Sequence, residues 1–155
     1  MSFDIRFIRR SFEMEGLVVH DPRPAAKGRI SIGSFYEDFY SPLDVWQCDR
    51  YEEQWQDAVR RLRRGQNSCF VVATHPVEIA QFIECWIVWR LATEYRVQNQ
   101  YLFFDRVGIV DPADPYDALW PYTNMTDDGE RIYDDWSLPL NTFDVAGSEY
   151  ERGDL

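Results

Sequence analysis

Apolar residues gather in three runs in the middle of the chain. Residues 68–74, SCFVVAT, form an unbroken apolar stretch of strand length and read as a buried strand. His75-Pro76 ends it, and residues 77–81 fit one helical turn. Residues 82–91 and 95–104 are two further strand-like runs, separated only by Ala92-Thr93-Glu94, the spacing of a hairpin. In the first, Ile83, Cys85, Ile87, Trp89 and Leu91 share one face. In the second, Tyr95, Val97, Asn99, Tyr101 and Phe103 share one face, with Arg96, Gln98 and Gln100 opposite. Short links between strands imply antiparallel pairing.

A different period precedes these runs. Tyr51, Trp55, Val59 and Leu62 recur at helical spacing and predict a helix over about 50–64. Asp49, with Glu52 three residues on, gives a capping-box-like start, and Gly65 supplies the stop. Glu52, Glu53 and Asp57 lie early while Arg60, Arg61, Arg63 and Arg64 lie late, an order that complements the helix dipole. Four arginines also suit phosphate, but dipole complement and a solvated face explain them more simply.

Elsewhere the pattern is weaker. Residues 5–8, 16–20 and 29–33 read as short strands, with a Pro-rich loop at Asp21-Pro22-Arg23-Pro24. Residues 34–47, aromatic and acidic, read as an ordered loop. In the last third, Asp114 is placed to cap a short helix with Pro115 at its first position, running to about Trp120. Thr126-Asp127-Asp128-Gly129 is a turn. Residues 131–138 read as a strand with Ile132, Asp134, Trp136 and Leu138 on one face, a register on which Asp134 needs a buried partner. The expected fold class is α+β: curved antiparallel sheet packed by one main helix, with short flanking helices. The length, 155 residues, suits a single domain, 1–155, with residues 148–155 as a frayed acidic tail.

Charge changes this picture. Acids outnumber bases 27 to 16, a formal net charge of −11. From residue 105 onward there are thirteen acids against Arg106, Arg131 and Arg152, so nearly all the imbalance sits in the last third. A strongly acidic surface disfavours nucleic acid and anionic membrane as partners and suits a basic protein. No stretch is apolar enough to span a bilayer and the start lacks a signal-peptide core. Cys48, Cys69 and Cys85 are odd in number and lack CxxC spacing, which fits reduced thiols in a cytoplasmic protein.

Candidate catalytic chemistry is sparse. His20 and His75 are the only histidines, and no HxH, HExxH, GxGxxG, P-loop or GxSxG pattern is present. Asp127-Asp128-Gly129-Glu130 lacks the spacing and ligand number of an EF-hand loop, so a solvated turn is the simpler reading. No metal or cofactor is expected, and the residues read as a binding module rather than an enzyme. Stacking of single-stranded nucleic acid on exposed aromatics is the alternative; the net charge opposes it, and most aromatics fall at core positions.

An ordered series of segments resembles the immunity proteins of bacterial contact-dependent growth inhibition, the CdiI type. It comprises Ser41-Pro42-Leu43-Asp44-Val45-Trp46, then Asp49-Arg50-Tyr51 and Gln54-Trp55. Next come Asn67-Ser68-Cys69-Phe70-Val71-Val72, Pro76, Phe82-Ile83 and Trp86. Tyr95-Arg96-Val97-Gln98-Asn99, Tyr101-Leu102-Phe103-Phe104, Asp127-Asp128-Gly129 and Asp135-Trp136 complete it. The resemblance implies a cytoplasmic protein that neutralises the C-terminal toxin domain (CdiA) of a contact-delivered effector, a basic nuclease, in the best-understood branch a ribonuclease. It also implies a Whirly-like fold of antiparallel sheets with flanking helices. On that reading the acidic third becomes a recognition surface. Its expected toxin-binding residues are Asp127, Asp128, Glu130, Tyr133 and Asp135, with Asp111, Asp114, Asp117 and Trp120 on the neighbouring loop. Family partner contacts vary between cognate pairs, so these positions are expected from charge and exposure.

Overall fold

A computed structural model describes residues 2–15 and 22–144. Its elements, in chain order, are β1 (Phe3–Glu15), β2 (Pro22–Ile32), β3 (Phe35–Pro42), α1 (Cys48–Arg63), β4 (Ser68–Thr74), β5 (Phe82–Arg90), β6 (Tyr95–Phe103), α2 (Phe104–Val107) and β7 (Trp136–Leu138). The strands form two antiparallel sheets, β1-β2-β3 and β4-β5-β6-β7, so the expected α+β class is the observed one.

The core lies where the two sheets face each other. Cross-strand pairs Phe3↔Ile32, Ile5↔Ile30 and Ile32↔Phe35 turn one face of the first sheet inward. Phe70↔Trp86 and Val88↔Val97 do the same for the second. Aromatic contacts bridge the layers: Phe3 to Phe70 at 4.9 Å and Phe35 stacked on Trp136 at 4.3 Å. Gly28 pairs with Phe39 across β2–β3, and a β-carbon there would sit 2.2 Å from the Phe39 ring. Phe39 is itself packed edge-on against Phe7 and Trp55, so the ring has little room to yield. Gly28→Ala is therefore expected to cost about 1–3 kcal/mol by overpacking, read as a lower midpoint in urea unfolding.

Helix α1 does not lie flat on a sheet face. It runs along the outer edge of β4 and closes it. The buried Gln54 amide donates to the Cys69 carbonyl (2.8 Å) while its oxygen accepts from the Val71 amide (2.8 Å). Trp55 Nε1 donates to the Val71 carbonyl at 2.8 Å. A side chain thus takes the place of a neighbouring strand, satisfying backbone groups that a bare edge would leave open. One irregularity is closed in the same way. The β4–β5 register slips between Val71 and Ala73, and the buried Ser41 hydroxyl donates to the Val72 carbonyl at 2.6 Å.

Several sequence expectations need correction. Residues 35–42 form strand β3 rather than loop, because Phe35, Phe39 and Ser41 alternate inward against outward Tyr36, Asp38 and Tyr40. Pro22 and Pro24 lie within β2, at the end that pairs with the last residues of β1, and the Pro24 carbonyl accepts from the Leu43 amide on the other side. The helix begins two residues early, at Cys48, with Gln47 as its cap; Asp49 sits in the first turn without a capping bond. After Asp114 there is only a single 3-10 turn, Tyr116–Ala118, and Pro115 itself is the cap residue. The long strand over 131–138 shrinks to β7. A bond from the Asp135 amide to the Tyr133 carbonyl makes a tight turn that breaks the alternation, so Asp134 is exposed and needs no buried partner. The strand read at 16–20 and the tail after Gly147 lie outside the described residues. The hairpin and the turn at 126–129 agree with expectation, and Cys48, Cys69 and Cys85 are free, all three of them buried.

Candidate binding surface

Between β6 and β7 the chain makes a long acidic excursion, fastened to the body by side chains facing inward. Tyr116 is buried, donates to Asp57 of α1 at 2.7 Å, accepts from Gln54, and carries Arg61 stacked at 4.0 Å. Burial and the Asp57 carboxylate push its phenol well above the usual range. Trp89 Nε1 donates to the Trp120 carbonyl (2.7 Å), and the Gln98 amide to the Thr123 carbonyl (2.9 Å). Polar positions on β5 and β6 that would otherwise be orphaned are thus the anchors of the loop.

What the anchors leave outside is acidic. Asp111, Asp114 and Asp117 are exposed around the 3-10 turn; the Asp111 carboxylate accepts from the Ala113 amide, and the other two carboxylates have no partner among the described residues. Asp127, Asp128 and Glu130 cluster on the tip of a short hairpin held by the Met125↔Arg131 bridge and by bonds between Asn124 and Ile132 and between Thr126 and Glu130. Gly129 takes a left-handed conformation (φ 83°) in that tip, a place that suits glycine. Asp127 meets Arg106 at 3.2 Å, but both side chains are largely in water, so the pair contributes little to stability. Tyr133 follows the hairpin and is 83% exposed.

Asp135 has a different place from its neighbours. Its carboxylate pairs with Arg96 at 2.9 Å and accepts from the Tyr122 hydroxyl at 2.5 Å. Only 5% of its side chain is accessible, and its hydrogen bond and charge raise the Arg96 guanidinium above its ordinary value. Asp135 thus holds the loop to β6 rather than presenting charge to solvent.

Beside the acidic hairpin runs a groove of about 440 Å³. Gln100, Tyr101 and Phe103 of β6 form one side, Arg106 and Val107 of α2 the end, and Trp120, Met125, Asp127 and Ile132 the other side. Tyr101, Phe103 and Met125 are each more than two-fifths exposed, an apolar floor with the Asp127 carboxylate at its side. Trp120 and Asp127 are the expected residues that line it; Asp111, Asp114 and Asp117 stand on the loop tied to α1 instead. Sequence reading missed Tyr101 and Phe103. It placed them correctly on the face of Tyr95 and Val97, but cover over that face ends near Trp136, leaving the far end of the strand open.

At the mouth between the sheets Glu84 sits directly opposite Tyr101 and accepts from the Asn99 amide at 3.1 Å. Burial raises its carboxyl above the ordinary glutamate range; the Asn99 bond opposes this and the charge of Glu37 adds to it. The folded state therefore penalises the charged form. That penalty is complete above the folded pKa and absent below the unfolded one. Glu84→Gln keeps an acceptor for Asn99 and is expected to raise the melting temperature at pH 7, the gain vanishing as pH falls towards 4. Calorimetry at both pH values checks this.

The geometry defines a two-sheet α+β protein with an anchored acidic loop beside an open apolar groove, and no cluster of potential metal ligands among the described residues. Residues 41–145 match the CdiI N-terminal domain family. The chain belongs to that family. Among solved structures, a chain of the CdiA-CT/CdiI toxin and immunity complex from Enterobacter cloacae shares the fold, with TM-score 0.76, 22% identity, and coverage of 91% of this chain and 92% of that one. No curated protein matches.

Proposed function

We propose that this chain is the immunity protein of a contact-delivered toxin, acting in the cytoplasm. It binds the C-terminal toxin domain, a basic nuclease and specifically a ribonuclease, and blocks its active site or the approach of its substrate. The observation carrying this reading is two groups of exposed carboxylates on an anchored loop, Asp111, Asp114 and Asp117 around the 3-10 turn and Asp128 and Glu130 on the hairpin tip, without cation partners among the described residues. Rigid unpaired charge is preorganised for a basic partner, and a nuclease cleft that binds phosphates is such a partner. Long-range attraction raises the association rate, most strongly at low salt. Tyr133, Trp120 and the groove aromatics supply the desolvated contacts that slow dissociation. The chain itself performs no catalysis on this reading. Stopped-flow association with the toxin domain at increasing salt tests it: a steep fall in rate is expected, and a salt-independent rate counts against it.

A second reading, binding of single-stranded nucleic acid, draws on the outer face of the first sheet. There Arg29 and Lys27 lie over the rings of Tyr36 and Tyr40. Asp38 weakens that reading. It pairs with both cations, and Arg29 holds its carboxyl below the usual range. Oligonucleotide titration at low salt separates the two readings, with micromolar binding favouring the second.

A further inference from the structure

The two edges of the second sheet are treated differently. The β4 edge is closed by Gln54 and Trp55, as described. On the other edge β7 pairs with only Tyr95, Arg96 and Val97 of the nine-residue β6. The direction of the remaining backbone groups follows from alternation. The Phe104 amide bonds back to Gln81 and the Glu94 carbonyl to Leu91, both on the β5 side. Even-numbered residues of β6 thus point their amides and carbonyls at β5, and odd-numbered ones point them away. Tyr95 and Val97 spend theirs on β7. The amides of Asn99, Tyr101 and Phe103, and the carbonyls of Asn99 and Tyr101, face outward with no backbone partner among the described residues. They border the groove whose far side is the acidic hairpin.

We propose that an extended segment of the toxin domain adds to this edge as a strand beyond β7, pairing with residues 99–103. The inference rests on the immunity reading and names how that partner is held. Open edges invite strand addition, and this one is short, flanked by apolar side chains and left unguarded in a fold that seals its opposite edge. The charge selects the occupant. Asp127 lines the groove opposite Arg106, and Asp128 and Glu130 follow it on the exposed tip of the same hairpin, so the added segment carries lysine or arginine towards the hairpin and apolar residues towards Tyr101, Phe103, Met125 and Ile132.

Backbone amide exchange, followed by NMR on the full chain with and without the cognate toxin domain, tests this, complex formation being established first by calorimetry. In the free protein the amides of Asn99, Tyr101 and Phe103 are expected to exchange fast and those of Gln98, Gln100 and Leu102 slowly. On binding, the first set slows by about a hundredfold or more. A complex that leaves those three amides fast overturns strand addition and leaves the immunity reading standing. Absence of any complex overturns both. As a second measurement, Tyr101→Pro removes an outward amide while sparing the β5 ladder, and is expected to weaken binding at least tenfold more than Tyr101→Ala. Equal losses overturn the proposal, and if the proline chain fails to fold, amide exchange on the natural chain decides.

Discussion

Replacing Asp127, Asp128 and Glu130 together by lysine is expected to weaken binding of the cognate toxin domain by about a thousandfold. The figure follows if each carboxylate makes one close charge pair worth about 1.5 kcal/mol, the lower end for such pairs at charged interfaces, since about 1.4 kcal/mol is tenfold in affinity. Much of the loss falls on association, because the hairpin tip changes sign as well as losing contacts. The same triple variant should fold normally. All three side chains are exposed, and the one ion pair lost, Arg106 with Asp127, lies in water. A melting temperature within a few degrees of the parent, with affinity and salt dependence both reduced, is the expected pair of results. Unchanged affinity would mean that the hairpin lies outside the interface.

The second large effect concerns folding. Trp55→Ala is expected to cost about 3–5 kcal/mol, a substantial share of the 5–15 kcal/mol typical of a domain. Trp55 is 1% exposed and joins three parts of the structure. Its ring packs on Phe7 at 4.8 Å and Phe39 at 5.9 Å in the first sheet, and its Nε1 donates to Val71 on the edge of the second. Truncation opens a cavity between the layers and orphans a backbone carbonyl. Trp55→Phe keeps most of the packing and loses only the bond, so a smaller cost of about 1–3 kcal/mol is expected. Urea unfolding of the two variants separates packing from hydrogen bonding; equal losses would place the whole effect in the indole N–H.

The sequence made some of this legible and hid the rest for physical reasons. Residues 68–104 were readable because apolar runs of strand length and a three-residue link leave few alternatives to an antiparallel sheet. Helix α1 was readable from Tyr51, Trp55, Val59 and Leu62. Its task was not: nothing in the spacing reveals that Gln54 stands in for a strand, since the bonds it makes are to residues 15 and 17 positions away. Strand β3 was hidden because its outward positions, Tyr36 and Tyr40, are as aromatic as its inward ones, which blurs the period of two. The end of the last third was misread because Ile132, Trp136 and Leu138 alternate like a strand, while the tight turn at Tyr133–Asp135 is a local backbone event with no glycine or proline to mark it.

Site residues divide in the same way. The acids at 127, 128 and 130 could be placed on an exposed turn from Asp-Asp-Gly alone. Asp135 looked like another member of that set, and its bonds to Arg96 and Tyr122 depend on a register that only the fold supplies. The groove at Tyr101 and Phe103 depends on where a three-residue strand happens to end. Charge counted along the chain located the acidic third; the anchors at Tyr116, Trp120 and Thr123 explain how that charge is held in fixed positions instead of on a free tail.

Growth rescue decides whether this chain neutralises a toxin. The cognate toxin domain is induced in a susceptible cell, alone and with the chain co-expressed, and growth is followed. Arrest with the toxin alone, full growth with the chain, and loss of rescue with the lysine triple variant at equal protein level are expected. Continued arrest in the presence of folded, abundant natural chain, with no complex recovered from those cells, would contradict it.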